Sequence, residues 1–193
     1  MSSTNRGAER RTDDAYMTPA WCVRRLLDVW QPRGKSGILV EPAVGTGNIV
    51  RAIGTEPFAW LTYDIREVQP VGEMHVTGDF LLAPAPSGTD AEAVVTNPPY
   101  CLAEEFVRHS RACFPGAELV FLLRIAFLAS ASRLPLWRDV GTPDIFVLPN
   151  RPSFTGGGTD SADYAWFIWP PGKRDRGAVG VLAETPQAER RTS

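Results

Sequence analysis

Gly37-Ile38-Leu39-Val40-Glu41-Pro42-Ala43-Val44-Gly45-Thr46-Gly47-Asn48 is the stretch that sets the fold. An apolar run of strand length, Gly37–Glu41, ends on a carboxylate and passes through Pro42 into a turn with glycine at 45 and 47. A short helix is expected over 47–53. Glycines at such a turn allow a tight bend and close approach of a ligand to the backbone at a helix N-terminus. Gly-x-Gly after a strand is as often a plain turn, so its neighbours have to decide.

The neighbours alternate. Upstream, Trp21, Val23, Leu26, Leu27 and Trp30 recur at helical intervals over 19–30, with Thr18 as the expected N-cap and Pro19 as the first-turn proline. Downstream, strands are expected at 60–64, Met74–Thr77, 93–96 and 119–123. An amphipathic helix fits 102–114, and a helical turn or two fits Leu134–Val140. The last strands are 144–148 and Tyr164–Trp169, with only a loop between them. Strands alternating with helices predict an α/β fold: a mainly parallel, doubly wound sheet with helices on both faces and an antiparallel hairpin at one edge. The expected organisation is a flexible polar segment over 1–13, a single domain over 14–171 and a polar tail over 172–193.

The chain has 193 residues, 44% apolar and 22% charged, with a net charge of −2. That is ordinary globular composition with room for one cored domain. It argues against a strongly basic nucleic-acid binder, but a local basic surface depends on distribution rather than on the sum. There is no apolar run of membrane-spanning length and no apolar signal region, so the reading is a cytoplasmic protein without a membrane partner. Cys22, Cys101 and Cys113 lack metal-ligand or disulfide-framework spacing, so no metal site is expected.

Three further features sit at strand ends. Asp64 closes the second strand about twenty positions after the glycine turn, where acidic residues bind ribose hydroxyls in dinucleotide folds. Asp79, in Gly78-Asp79-Phe80, follows the third; it is an acceptor for an adenine amino hydrogen, with Phe80 positioned to cover the ring. Asn97-Pro98-Pro99-Tyr100 follows the fourth. Its two prolines offer carbonyls without N–H donors, Asn97 adds an acceptor, and Tyr100 adds a flat aromatic face. Such a loop suits gripping both hydrogens of a planar amino group while a ring stacks beside it.

In this order the chain resembles the class I S-adenosylmethionine-dependent methyltransferases. More narrowly, it is similar to the amino-methyltransferases that act on adenine N6 in DNA. Asp14-Ala15-Tyr16-Met17-Thr18-Pro19 is similar to the family's N-terminal cofactor motif, 41–47 to its glycine loop, and Asn97-Pro98-Pro99-Tyr100 to its catalytic tetrapeptide. The resemblance covers roughly positions 14 to 170, with the gamma order of motifs. It implies a Rossmann-like sheet of seven strands and S-adenosyl-L-methionine as cofactor. Tyr16, Thr18, Pro19, Glu41, Ala43, Gly45, Gly47, Asp64, Asp79, Phe80 and Asn97 would then form the cofactor side. Asn97, Pro98, Pro99 and Tyr100 would be catalytic, with Tyr100 stacking on the base. Phe154, in the glycine-rich loop between the last two strands, is a candidate second wall for a flipped base.

The resemblance also has a gap. Sequence-specific DNA methyltransferases carry a target-recognition domain or a large insertion, and no segment here is spare enough for one. Specificity is therefore low, or depends on a homodimer or a recognition partner, or the substrate is not duplex DNA. RNA amino-methylation and protein glutamine N5-methylation use the same chemistry. A non-catalytic cofactor-binding subunit is a further reading, against which the intact tetrapeptide stands. A nicotinamide dehydrogenase fits worst, because Val50 stands where a third spaced glycine is required.

Overall fold

The computed structural model describes residues 17–34, 36–154 and 160–190; the expected role of Tyr16 falls outside them. Eight strands form one sheet: β1 (Gly37–Glu41), β2 (Phe58–Asp64), β3 (Met74–Thr77), β4 (Ala91–Thr96), β5 (Glu118–Arg124), β6 (Asp144–Val147), β7 (Tyr164–Trp169) and β8 (Val179–Val181). Their spatial order is β3-β2-β1-β4-β5-β7-β6-β8. Only β7 runs against its neighbours, antiparallel to both β5 and β6. From β1 the chain builds outward through β2 to β3, then returns to place β4 on the other side of β1. That reversal is where open α/β sheets leave a crevice beyond the strand ends.

The central strands are apolar along their whole length because both faces are covered. Leu39, Val95, Val120 and Trp166 face a core shared with Trp21, Leu26, Ile49 and Val50, from α1 (Ala20–Leu27) and α2 (Asn48–Ile53). Val40, Val94, Phe121 and Phe167 face the opposite core, with Phe106 and Val107 of α3 (Ala103–Cys113) and Leu136 of α4 (Leu134–Val140). Alternate residues of one strand thus serve opposite cores, as the two-residue pleat requires.

Two expectations are corrected. The sheet has eight strands rather than seven, and the β6–β7 hairpin is not its edge. The tail read as polar contributes β8, parallel to β6 in the register Ile145↔Val179 and Val147↔Val181. Ladder bonds extend on both sides, from Ile145 N–H to the Ala178 carbonyl (2.8 Å) and from Leu182 N–H to the Val147 carbonyl (2.9 Å). Arg174 pairs with Asp144 (2.6 Å), and Leu182 and Thr185 are buried. A β6 left at the edge would present unpaired backbone groups, and β8 satisfies them. A final short helix, α5 (Gln187–Arg190), follows.

A further correction lies at the start of α1. Pro19, not Thr18, holds the cap position, with φ −61° and ψ 136°, and no side chain caps the helix. Thr18 lies one residue farther out and is buried, its carbonyl accepting from Asn48 Nδ2 (3.0 Å).

Candidate active site

Strand β1 delivers Glu41 into the glycine turn, where Gly45 (φ +53°) and Gly47 (φ +76°) both adopt left-handed backbone that a side chain resists. The turn is tied down from β2: Val44 N–H donates to the Tyr63 carbonyl (2.8 Å) and Gly45 N–H to Asp64 Oδ2 (2.8 Å). Gly47 is also close-packed, since a Cβ there would stand 2.6 Å from Val71 Cγ2. Asn48 opens α2, and its contact with the Thr18 carbonyl joins the segment before α1 to this turn. Arg51, one turn on, holds Asn48 Oδ1 (2.9 Å). Thr18, Pro19, Ala43, Gly45 and Gly47 therefore belong to one neighbourhood. Asn48 organises it, and the sequence reading passed over Asn48 because a polar first helical residue has no distinctive spacing.

Glu41 is 2% exposed, and its Oε2 makes no hydrogen bond among the described residues. Burial first, and then the nearby Asp64 carboxylate, push its carboxyl well above the usual range. A buried acceptor of this kind fits a ligand cation such as an amino-acid ammonium group, whose arrival would favour the ionised form. Asp64 behaves differently. Burial raises its pKa, but hydrogen bonds from Arg66 and from Gly45 N–H outweigh that and hold the carboxyl below its ordinary value. Arg66 reaches it through its backbone N–H (2.9 Å) and through Nε (3.1 Å).

Asp79 and Phe80 follow β3. Asp79 Oδ1 accepts from Leu81 N–H (2.9 Å), capping a one-turn 3-10 helix over Phe80–Leu82. The Phe80 ring packs edge-on against Tyr63 (5.3 Å) and His109 (4.8 Å) and is buried, so its first role is in the core of the α3 face.

Strand β4 ends at Thr96, directly beside β1 in a parallel register that pairs Leu39 with Ala93 and Val40 with Val94. Adjacent parallel strands lie about 4.8 Å apart, so the glycine turn and Asn97-Pro98-Pro99-Tyr100 leave the same end of neighbouring strands. Asn97 and Pro98 are buried; Pro99 and Tyr100 are half-buried. The Pro99 carbonyl is taken by Leu102 N–H (2.9 Å). The Pro99 carbonyl is thereby engaged within the loop itself.

The Tyr100 ring does not stand alone. Tyr164 tilts against it at 5.4 Å, Phe154 meets it edge-on at 6.2 Å, and the Arg124 guanidinium carbon lies 5.0 Å from its centroid. Phe154, the expected second wall, is thus brought to the tetrapeptide. It is 4% exposed and packed on Tyr164 as well (5.1 Å), as an anchor of the 148–163 connection. Arg124, Tyr164 and Asp160 were missed in the sequence. Their only signal is a cation closing an otherwise apolar strand, Leu119-Val120-Phe121-Leu122-Leu123-Arg124. No group of His, Cys, Asp and Glu suited to a metal occurs among the described residues.

Neither a family model nor a curated protein sequence matches the chain. Solved structures do match in shape. A Listeria monocytogenes protein described as a class I S-adenosylmethionine-dependent methyltransferase superposes with a TM-score of 0.64 at 13% identity, covering 90% of this chain and 68% of the other. The methyltransferase subunit of a type I restriction-modification system from Streptococcus thermophilus gives 0.67 at 12% identity, over 91% of this chain and 51% of the subunit. A protein of Agrobacterium tumefaciens described as an O-methyltransferase gives 0.57 at 16% identity, over 91% and 98%. This is the class I methyltransferase fold. The chain spans about half the length of the restriction-modification subunit. Because the neighbours differ in acceptor, the fold does not choose the atom that is methylated.

Proposed function

We propose that the protein transfers a methyl group from S-adenosyl-L-methionine to the exocyclic amino nitrogen of adenine in nucleic acid, with DNA as the first candidate. One observation carries this reading: a buried acceptor, Glu41, beside a glycine turn on β1, and an acceptor-rich loop with an aromatic face, Asn97-Pro98-Pro99-Tyr100, at the same end of adjacent β4. The type I restriction-modification neighbour adds support for a nucleic-acid substrate and a partner subunit.

The cofactor supplies an electrophilic methyl group on a sulfonium. Glu41 would hold the methionine ammonium, the backbone of Gly45 and Gly47 its carboxylate end, and Asp64 the ribose after exchanging its bonds with Arg66. On the acceptor side, the lone pair of an adenine amine is delocalised into the ring. Asn97 Oδ1 and the Pro98 carbonyl, by accepting both amine hydrogens, favour a tetrahedral nitrogen with an available lone pair. The same two acceptors stabilise the positive charge that develops on that nitrogen. Tyr100 offers the stacking face that fixes the ring plane. As the nitrogen takes the methyl carbon and the carbon's bond to sulfur breaks, S-adenosylhomocysteine would leave. The product cation, an acidic N-methyl ammonium, would give one proton to water, so positioning and electrostatics suffice without a separate general base.

The test is mass spectrometry of nucleosides from DNA and from RNA incubated with protein and cofactor. N6-methyladenine in DNA supports the proposal. Methyl transfer confined to RNA, to cytosine or to protein glutamine replaces the substrate, and cofactor binding without transfer to any of them removes the enzyme.

A further inference from the structure

Arg124 ends β5, immediately across from the acceptor loop that follows β4, and nothing in the motif set accounts for it. Its Nε donates to Tyr164 Oη (3.1 Å), and that hydroxyl donates in turn to Asp160 Oδ2 (2.7 Å). Asp160 also faces the guanidinium directly, with Nη2 at 3.8 Å. Tyr164 is fully buried, while the Arg124 side chain is 42% exposed. Asp160 is fixed by accepting from Ala162 N–H (3.0 Å).

We propose that Arg124, oriented by Tyr164 and Asp160, is a positioning residue that holds the Tyr100 ring in place to receive the acceptor base. The proposal rests on the amino-methylation reading and says how its stacking face is set. The chain of contacts is continuous: a carboxylate orients a phenol, the phenol orients a planar cation, and the cation lies against the aromatic ring that the substrate would meet. A guanidinium suits this place because its flat face stacks on aromatics while its edge donates hydrogen bonds. The arrangement also ties Asp160, just before β7, and Tyr164, the first residue of β7, to the tetrapeptide through Arg124 and the Tyr100 ring.

Electrostatics keep the device set. Burial raises the Asp160 carboxyl, but the Tyr164 hydroxyl, the Ala162 N–H and the Arg124 charge bring it below its usual value, so it stays ionised. Burial pushes the Tyr164 phenol up to about 12, so it stays a donor.

The experiment uses the full chain labelled with 3-fluorotyrosine, whose four tyrosines give few enough 19F signals to identify Tyr100 by its loss in Tyr100→Phe. Transfer kinetics on an adenine-containing oligonucleotide run alongside. Arg124→Met, which keeps the apolar stem, should shift or broaden the Tyr100 signal. It should also raise the oligonucleotide KM about tenfold with kcat within about threefold. Asp160→Asn should do the same to a smaller degree and guards against a misfolded Arg124 variant. Arg124→Lys should recover part of the KM, because the cation returns without its planar fork. A KM rise with an unmoved Tyr100 signal overturns the proposal, since Arg124 would then act on the substrate directly. An unchanged KM in both Arg124→Met and Asp160→Asn overturns it too. Should the wild-type protein methylate no nucleic acid, the functional reading fails, and the 19F signal alone decides whether Arg124 holds the ring.

Discussion

Glu41 is the residue at which ligand affinity and stability pull in opposite directions. Its folded pKa is raised by burial and by Asp64. The stability it contributes is therefore fully present below the ordinary carboxylate pKa, and is lost as pH rises through the elevated folded value. Glu41→Gln should make the cofactor-free protein melt higher than wild type at about pH 8, with the difference vanishing toward about pH 4. The same change should weaken cofactor binding on the order of 10–100-fold, the usual worth of a hydrogen bond to a charged group, readable by calorimetric titration. Asn97→Ala should lower the transfer rate on the order of 10²–10³-fold with cofactor affinity nearly unchanged; affinity falling in step with rate would leave Asn97 a cofactor contact and not an acceptor of the amine hydrogens. Both residues could be named from the sequence because they sit in contiguous motifs. Arg124, Tyr164 and Asp160 were not, because three residues spread over forty positions meet only once β7 inserts beside β5.

Elements were read best where both local signals and burial agreed. The strands at Gly37–Glu41, Met74–Thr77 and Tyr164–Trp169 match their expected limits, and α2 and β4 shift by at most two residues. Strand β8 was missed because it is only three residues long, in a short run of mostly small residues (177–183) without alternation, and its exposed valines are held by backbone pairing rather than by burial. Leu182, just past β8, is 6% exposed and anchors that edge. Leu182→Ala should cost about 2–4 kcal/mol of unfolding free energy in a urea titration. At the glycine turn, Gly47→Ala meets both a φ of +76° and the Val71 side chain. It should cost at least about 1–2 kcal/mol and lower cofactor affinity, while Gly88→Ala, also at positive φ but with open space around its Cβ position, should leave affinity unchanged.

Across the whole molecule, two cores clamp one sheet, and the proposed chemistry occupies the rim where the strand order reverses. A ligand that binds there only when the sheet is assembled must raise the melting temperature. At a hundredfold excess over its dissociation constant, S-adenosyl-L-methionine should add about 2.7 kcal/mol, or roughly 5–10 °C for a domain of this size, and calorimetry should detect it. The alternation of strands and helices made that architecture readable, while the strand sequence beyond β5 depended on contacts distant along the chain. The adjacency of β1 and β4 has a practical consequence. On the proposed reading, donor and recipient stations would be spaced by ladder bonds in the middle of the sheet, whereas the connections that would choose a recipient, after β5 and between β6 and β7, belong to its other half. Exchanging those connections for ones grafted from a different scaffold should redirect the catalyst to new molecules without retuning the gap that the methyl group has to cross.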